Sequence, residues 1–126
     1  MTRSARTPLA AIAAITVLAA TAIPACGSSC SGGALPGLRV TVADGPGGPA
    51  VCGATVTAQD GSYDETLIQG TAASGACVYV GAYERPGTYT IEAVDGARMV
   101  TVQNVRVANG ACNVTSTAVT ATLPAP

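Results

Sequence analysis

The sequence contains no histidine, lysine, tryptophan or phenylalanine. Without histidine there is no Ser-His-Asp or Cys-His relay, no His-bearing zinc site and no side chain with an ordinary pKa near neutrality. Without lysine there is neither Schiff-base chemistry nor a Lys–Asn isopeptide crosslink. Four tyrosines are the only aromatics. That leaves little stacking surface for the sugar cleft that a pair of glycosidase carboxylates needs. Charge is scarce too: 10% of residues are charged, against about 25% in a typical soluble domain. The cations are Arg3, Arg6, Arg39, Arg85, Arg98 and Arg106, and the formal net charge is −1. No basic stretch exists to displace counterions from a nucleic acid. The expectation is a protein without catalysis, cofactor, metal or nucleic-acid partner.

What is present begins with an export pattern. Arg3 and Arg6 precede an uncharged apolar run, Leu9 to Ile23, of 15 residues. A membrane span needs about 20, whereas a signal-peptide core needs fewer. Two cleavage sites compete. Ala20-Thr21-Ala22 fits the small-x-small rule. Ile23-Pro24-Ala25-Cys26 resembles the lipobox of bacterial lipoproteins, and a Gly/Ser stretch of flexible-tether composition follows from Gly27 to Gly33. That resemblance implies a diacylglyceryl thioether on Cys26, cleavage before it and acylation of the new amine. It places residues 1–25 in a signal peptide, 26–36 in a lipidated tether and 37–126 in the folded domain. It also makes the membrane a partner, through acyl chains at Cys26, in a bacterial cell envelope, either periplasmic or at the cell surface. Removing residues 1–25 takes away two arginines and no acid, leaving a mature net charge of −3, which serves solubility.

Cysteine parity agrees with that reading. Of five cysteines, lipidation of Cys26 leaves the even set Cys30, Cys52, Cys77 and Cys112. Outside the cytoplasm these are disulfide candidates, and no C-x-x-C pair suggests a thiolate metal site. Four cysteines allow three connectivities. Cys52 shares strand parity with Ala54 and Val56, and Cys77 with Tyr79, so both are expected to point inward, which favours Cys52–Cys77.

Beyond residue 36 the chain reads as β-strands. Val and Thr dominate. Asp60-Gly61, Ser74-Gly75, Pro86-Gly87, Asp95-Gly96 and Asn109-Gly110 mark turns between alternating runs. Seven strands are expected: Leu38–Ala43, Gly53–Gln59, Tyr63–Ile68, Ala76–Val80, Thr88–Val94, Arg98–Val107 and Cys112–Leu123. Their spacing and alternation predict an all-β, antiparallel sandwich. In the sixth run Val100 and Val102 share a parity that Val105 and Val107 do not, so a bulge is expected near Gln103-Asn104. With no Phe or Trp the core is poor in bulk, and crosslinks matter accordingly.

Three segments carry a family resemblance: Asp44-Gly45 with Gly53-Ala54-Thr55-Val56, then Thr71 to Tyr79, then Pro86-Gly87-Thr88-Tyr89-Thr90-Ile91. Together they resemble carboxypeptidase regulatory-like domains, over residues 38 to 123. The resemblance implies a prealbumin-like (transthyretin-like, Ig-like) sandwich serving as a structural or recognition module, with Tyr89 as a core anchor. Ser74 stands where that family usually has Asp, and Cys77 where it often has an aromatic. The prealbumin-like enzymes depend on His, so their activities do not carry over.

A few polar groups remain. Asp60, Asp64 and Glu65 surround one turn, where oxygen ligands suit Ca²⁺, although a solvated turn is the plainer reading. Tyr63 and Tyr83 lie near loops, and Glu84-Arg85 reads as a turn ion pair. The function expected is a non-enzymatic envelope lipoprotein acting as a structural or protein-interaction module with an envelope protein partner. The alternative is a sandwich that binds a small ligand or carbohydrate. Oligomeric state is not legible.

Overall fold

A computed structural model describes Cys30 and residues 32–126. The export segment, the lipidation candidate Cys26 and the rest of the Gly/Ser stretch through Ser31 lie outside the described residues. Among the described residues there is no helix, and nine strands follow in order. They are β1 (Pro36–Ala43), β2 (Thr55–Asp60), β3 (Tyr63–Thr66), β4 (Ile68–Thr71), β5 (Cys77–Tyr83), β6 (Gly87–Asp95), β7 (Arg98–Asn109), β8 (Val114–Thr115) and β9 (Thr117–Thr122). One sheet has the order β4-β5-β1-β9 and the other β3-β2-β6-β7-β8. Their inner faces enclose a core that includes Leu38, Val40, Val56, Tyr79, Tyr89, Ile91 and Leu123.

Nine strands, not seven, is a correction to the expectation, and both extra strands have one cause. The expected strand Tyr63–Ile68 breaks at Leu67. There the chain leaves β3, paired with β2, and enters β4, paired with β5 in the opposite sheet. Leu67 is buried at the crossing, and its amide reaches Val56 O at 2.8 Å. The expected strand Cys112–Leu123 breaks at Ser116 in the same way, since β8 pairs with β7 and β9 with β1. The Ser116 hydroxyl donates to Pro36 O at that step. The sandwich is also not wholly antiparallel: β9 runs parallel to β1, Leu38 opposite Thr117 through Ala43 opposite Thr122.

The faces follow alternation. Val56 and Ala58 in β2, and Tyr89, Ile91 and Ala93 in β6, are buried, while between them Thr57 and Thr90 are half-buried and Glu92 is exposed. The bulge stands where the parity of β7 requires it: Tyr89 pairs with Val105 and Ile91 with Val102. Gln103 and Asn104 therefore face Thr90 as the extra residue, and Asn104 takes a left-handed φ of 59°. Val105 and Val107 thereby return to the core. The Asp60-Gly61 and Asp95-Gly96 hairpins have two-residue loops, with each Gly at φ 61°, the angle that such turns demand.

Candidate functional site

The strands define two ends. At one, β1 begins, β5 and β7 finish, and the chain enters from its N-terminal side. At the other lie the loop before β2, the β4–β5 turn and the β6–β7 hairpin. Each end carries one disulfide, Cys30–Cys112 at the entry end and Cys52–Cys77 at the far end, with Cα–Cα distances of 5.1 and 5.4 Å.

At the entry end the backbone is unusual. Ala82 and Glu84 both take left-handed φ, 52° and 51°, which costs a non-glycine residue about 1–2 kcal/mol. Hydrogen bonds from several elements hold that turn. The Ala82 amide donates to Glu65 Oε2 at 2.8 Å, the Glu84 amide to Leu35 O at 3.1 Å and the Arg85 amide to Ala82 O at 3.2 Å. The Glu84 side chain then gathers three donors: Leu35 N at 2.7 Å, Asn113 Nδ2 at 2.6 Å and Val114 N at 3.2 Å. The Leu35 amide, with Asn113 next, holds the Glu84 carboxyl below its ordinary pKa.

A lowered carboxylate pKa stabilises the fold above the unfolded value, about 4.3 for Glu, and that stability is lost as the pH falls through the folded value. Acidification below about pH 4.3 should therefore speed hydrogen exchange at the Leu35 and Val114 amides before it disturbs the core. Glu84→Gln should remove this acid step while leaving core amides protected. Exchange at Leu35 that shows no acid step beyond that of Glu84→Gln would contradict this account.

Glu84–Arg85 is not an ion pair, which corrects the sequence expectation. The positive φ at Glu84 separates the two side chains, and Arg85 turns to Asp60 at 3.0 Å. Its guanidinium lies 3.8 Å from the Tyr63 ring centroid and donates to Tyr89 Oη at 3.0 Å. Those two hydrogen bonds, Tyr89 first, raise its pKa. Tyr89 Oη in turn donates to Arg85 O at 2.7 Å. Tyr63 donates to Glu65 Oε2 at 2.6 Å, and that bond, with some desolvation, pushes its pKa up to about 12. Tyr63 thus stays a neutral donor at any ordinary pH. Every member of this network already has a partner, so none is placed as a free base or nucleophile.

The far end is built alike. The Tyr79 ring is buried, and its hydroxyl accepts from Ala54 N and donates to Val51 O, both at 2.9 Å. Arg98 bridges Asp44 and Asp95, and both bonds raise its pKa, the one to Asp44 most. Cys77 is buried, but Cys52 is exposed, contrary to the inward orientation expected of it. It lies in the loop beside Gly53, whose φ of 78° breaks the strand parity on which that expectation rested.

Asp60, Asp64 and Glu65 do not converge. Asp60 goes to Arg85, Glu65 to Tyr63 and the Ala82 amide, and Asp64 faces solvent. Among the described residues no group of three or more His, Cys, Asp or Glu is placed to hold a metal, and apart from the tyrosines Tyr79 and Tyr89 no polar or charged side chain is buried. A depression of about 430 Å³ is lined by Pro86, Gly87, Thr88 and residues 106–109. It is formed by two neighbouring strands alone, so it lacks the enclosing walls with which a small-molecule site buries most of its ligand.

The sheet edges differ more informatively, and sequence reasoning missed them. Edge strand β3 carries Asp64 and Glu65, and β8 has two residues. β9 lies against β7, where Thr117 Oγ1 donates to Arg106 O. β4 (Ile-Gln-Gly-Thr) has no charge, no proline and an Ile68 side chain 67% exposed. Only its four-residue length serves as one of the usual protections of an edge. The signal was in the sequence, as an uncharged stretch following two acids. Its place at a sheet edge was not, because that follows from the sheet change at Leu67.

No family model, curated protein or solved structure matches the chain.

Proposed function

We propose that this chain is a cell-envelope lipoprotein, anchored through acyl chains on Cys26, whose sandwich serves as a protein-interaction module rather than a catalyst. A carboxypeptidase regulatory-like origin belongs to the same reading, supported by the Pro86-Gly87-Thr88-Tyr89 segment, in which Tyr89 is fully buried. The observation that carries the interaction role is the β4 edge. Its unpaired backbone groups, uncharged sequence and exposed Ile68 suit the addition of an extended, uncharged strand from an envelope protein. Ladder hydrogen bonds would give affinity, and Ile68 with Val80, its cross-strand neighbour, would give an apolar contact.

A photoreactive residue replacing Thr71 tests this in the cells that make the protein, with Met99 on a different sheet as the control position. A discrete adduct is expected at position 71, several-fold stronger than at position 99 and lost with Ile68→Lys. Cys26→Ser should move the protein from the membrane to the soluble fraction. Equal adducts at both positions, or indifference to Ile68→Lys, would remove the interaction role. Unchanged membrane retention of Cys26→Ser would remove the anchor.

A further inference from the structure

The Cys30–Cys112 bond changes what the Gly/Ser tether can do. Counted along the backbone, ten steps lead from Cys26 to Pro36, the first residue of β1, a reach of up to about 35 Å. On such a tether the sandwich would sample many orientations above a membrane. Cys30, however, is bonded to Cys112 in the β7–β8 loop. The free length is therefore the four steps from Cys26 to Cys30, which span at most about 14 Å. A headgroup layer is itself about 5–8 Å thick. An acylated Cys26 thus leaves the entry end almost no room to stand off.

That end is also where apolar surface gathers. Four large hydrophobic side chains are exposed among the described residues: Leu35, Ile68, Tyr83 and Met99. Two of them, Leu35 and Tyr83, each 46% exposed, sit at the entry end, where Pro36 pairs with Tyr83 and the Glu84 amide bonds Leu35 O. The Glu84 carboxylate fastens Leu35 and Asn113 to one turn, so the tether and the Cys112 loop move as one piece with Tyr83. A tyrosine suits the bilayer interface, with an apolar ring and a polar tip.

Resting on the Cys26 lipidation reading, we infer that the entry end is a membrane-contacting surface, with Leu35 and Tyr83 at headgroup level and the Cys30–Cys112 bond as the clamp that keeps them there. The occupant of this surface is a lipid bilayer, on the strength of the chain length outside the structure and the place where it joins the fold. Asp60, Asp64, Glu65 and Glu84 stand at this end against Arg85 and Arg106, which leaves it net negative, so the contact suits zwitterionic better than anionic lipid. The clamp joins two exposed cysteines. Its reduction would return the full tether length and let the sandwich lift away, with the far end and the β4 edge free to reorient.

The chain has no tryptophan, so a single introduced indole reports its own depth. The lipidated full chain is placed in phosphatidylcholine vesicles with brominated acyl chains, as Leu35→Trp, Tyr83→Trp or Met99→Trp. Met99 lies nine residues from Ala108 along β7, about 30 Å toward the far end. Quenching is expected to be several-fold stronger at positions 35 and 83 than at 99, and to fall toward the Met99 level in the Cys30→Ser/Cys112→Ser background. Chains that float with the vesicles but are quenched alike at all three positions overturn the inference and leave lipidation standing. Quenching that survives loss of both cysteines overturns the clamp. Chains that do not float overturn the lipidation reading, and the inference falls with it.

Discussion

Tyr89→Ala should cost about 3–5 kcal/mol, a large part of the roughly 5–15 kcal/mol that holds a domain folded. In a core without Phe or Trp, Tyr79 and Tyr89 are the only fully buried aromatic rings among the described residues. Removal of the Tyr89 ring opens a cavity beside its cross-strand partner Val105 and Ile91 on the same strand face, both in the buried cluster, and the aliphatic neighbours are too small to close it. The same truncation leaves Arg85 without its hydroxyl partner and Tyr63 without the ring it meets edge-on at 6.2 Å. Tyr89→Phe separates the two contributions. It keeps the core volume and deletes the bonds to Arg85 O and Nη1, so it should cost about 1–3 kcal/mol. Denaturant unfolding of both variants against the parent gives the comparison. A Tyr89→Ala cost no larger than that of Tyr89→Phe would mean that the cavity collapses and that the core is not anchored as described.

The importance of Tyr89 was legible because its signal is local. Pro86-Gly87 marks a turn, and Tyr89, Ile91 and Ala93 alternate with polar residues directly after it. The bulge in β7 was legible for the same reason, since Val102 and Val105 cannot both face inward without an extra residue between them. The crossings at Leu67 and Ser116 were not legible. Thr66-Leu67-Ile68 and Thr115-Ser116-Thr117 run through the two points without a glycine or proline, and propensity records only that a residue suits an extended backbone. Which sheet the residue joins depends on partners far away in sequence. The parallel pairing of β1 with β9 was hidden for the same reason.

Side-chain partners divide in the same way. Alternation along β5 placed Cys77 inside correctly, because that residue belongs to a strand. Extended into the loop, it failed at Cys52. Glu84-Arg85 looked like a neutralising pair because opposite charges stood next to each other. The left-handed turn that parts them is imposed from outside, by Glu65 on the Ala82 amide and by Leu35 on the Glu84 amide. The uncharged edge strand β4 was equally hidden, since such a tetrapeptide is unremarkable until its sheet position is known.

The two disulfides should differ in worth, in the reverse of the order that loop length suggests. A bond closing 82 residues, Cys30–Cys112, is worth about 4.5 kcal/mol in the chain-entropy model, and one closing 25 residues, Cys52–Cys77, about 3.5 kcal/mol. That model counts only the unfolded chain. When Cys52–Cys77 is cut, the folded state keeps its shape, because the loop is held by Val51 N on Val42 O, by Gly53 N on Gln69 Oε1 and by Tyr79 on both sides. The full entropic loss of about 3.5 kcal/mol should then be felt in Cys52→Ser/Cys77→Ser. When Cys30–Cys112 is cut, the described residues 32–34 belong to no strand that would hold them. Each residue released there regains about 1–2 kcal/mol of backbone entropy in the folded state itself. Residues 32–34, at about 1 kcal/mol each, offset about 3 of the roughly 4.5 kcal/mol, so Cys30→Ser/Cys112→Ser should destabilise by about 1–2 kcal/mol at most, well short of its loop-entropy figure. Denaturant midpoints of the two double variants decide the order. A larger loss at Cys30–Cys112 would show that the entry segment is packed on the sandwich in its own right and does not depend on its crosslink.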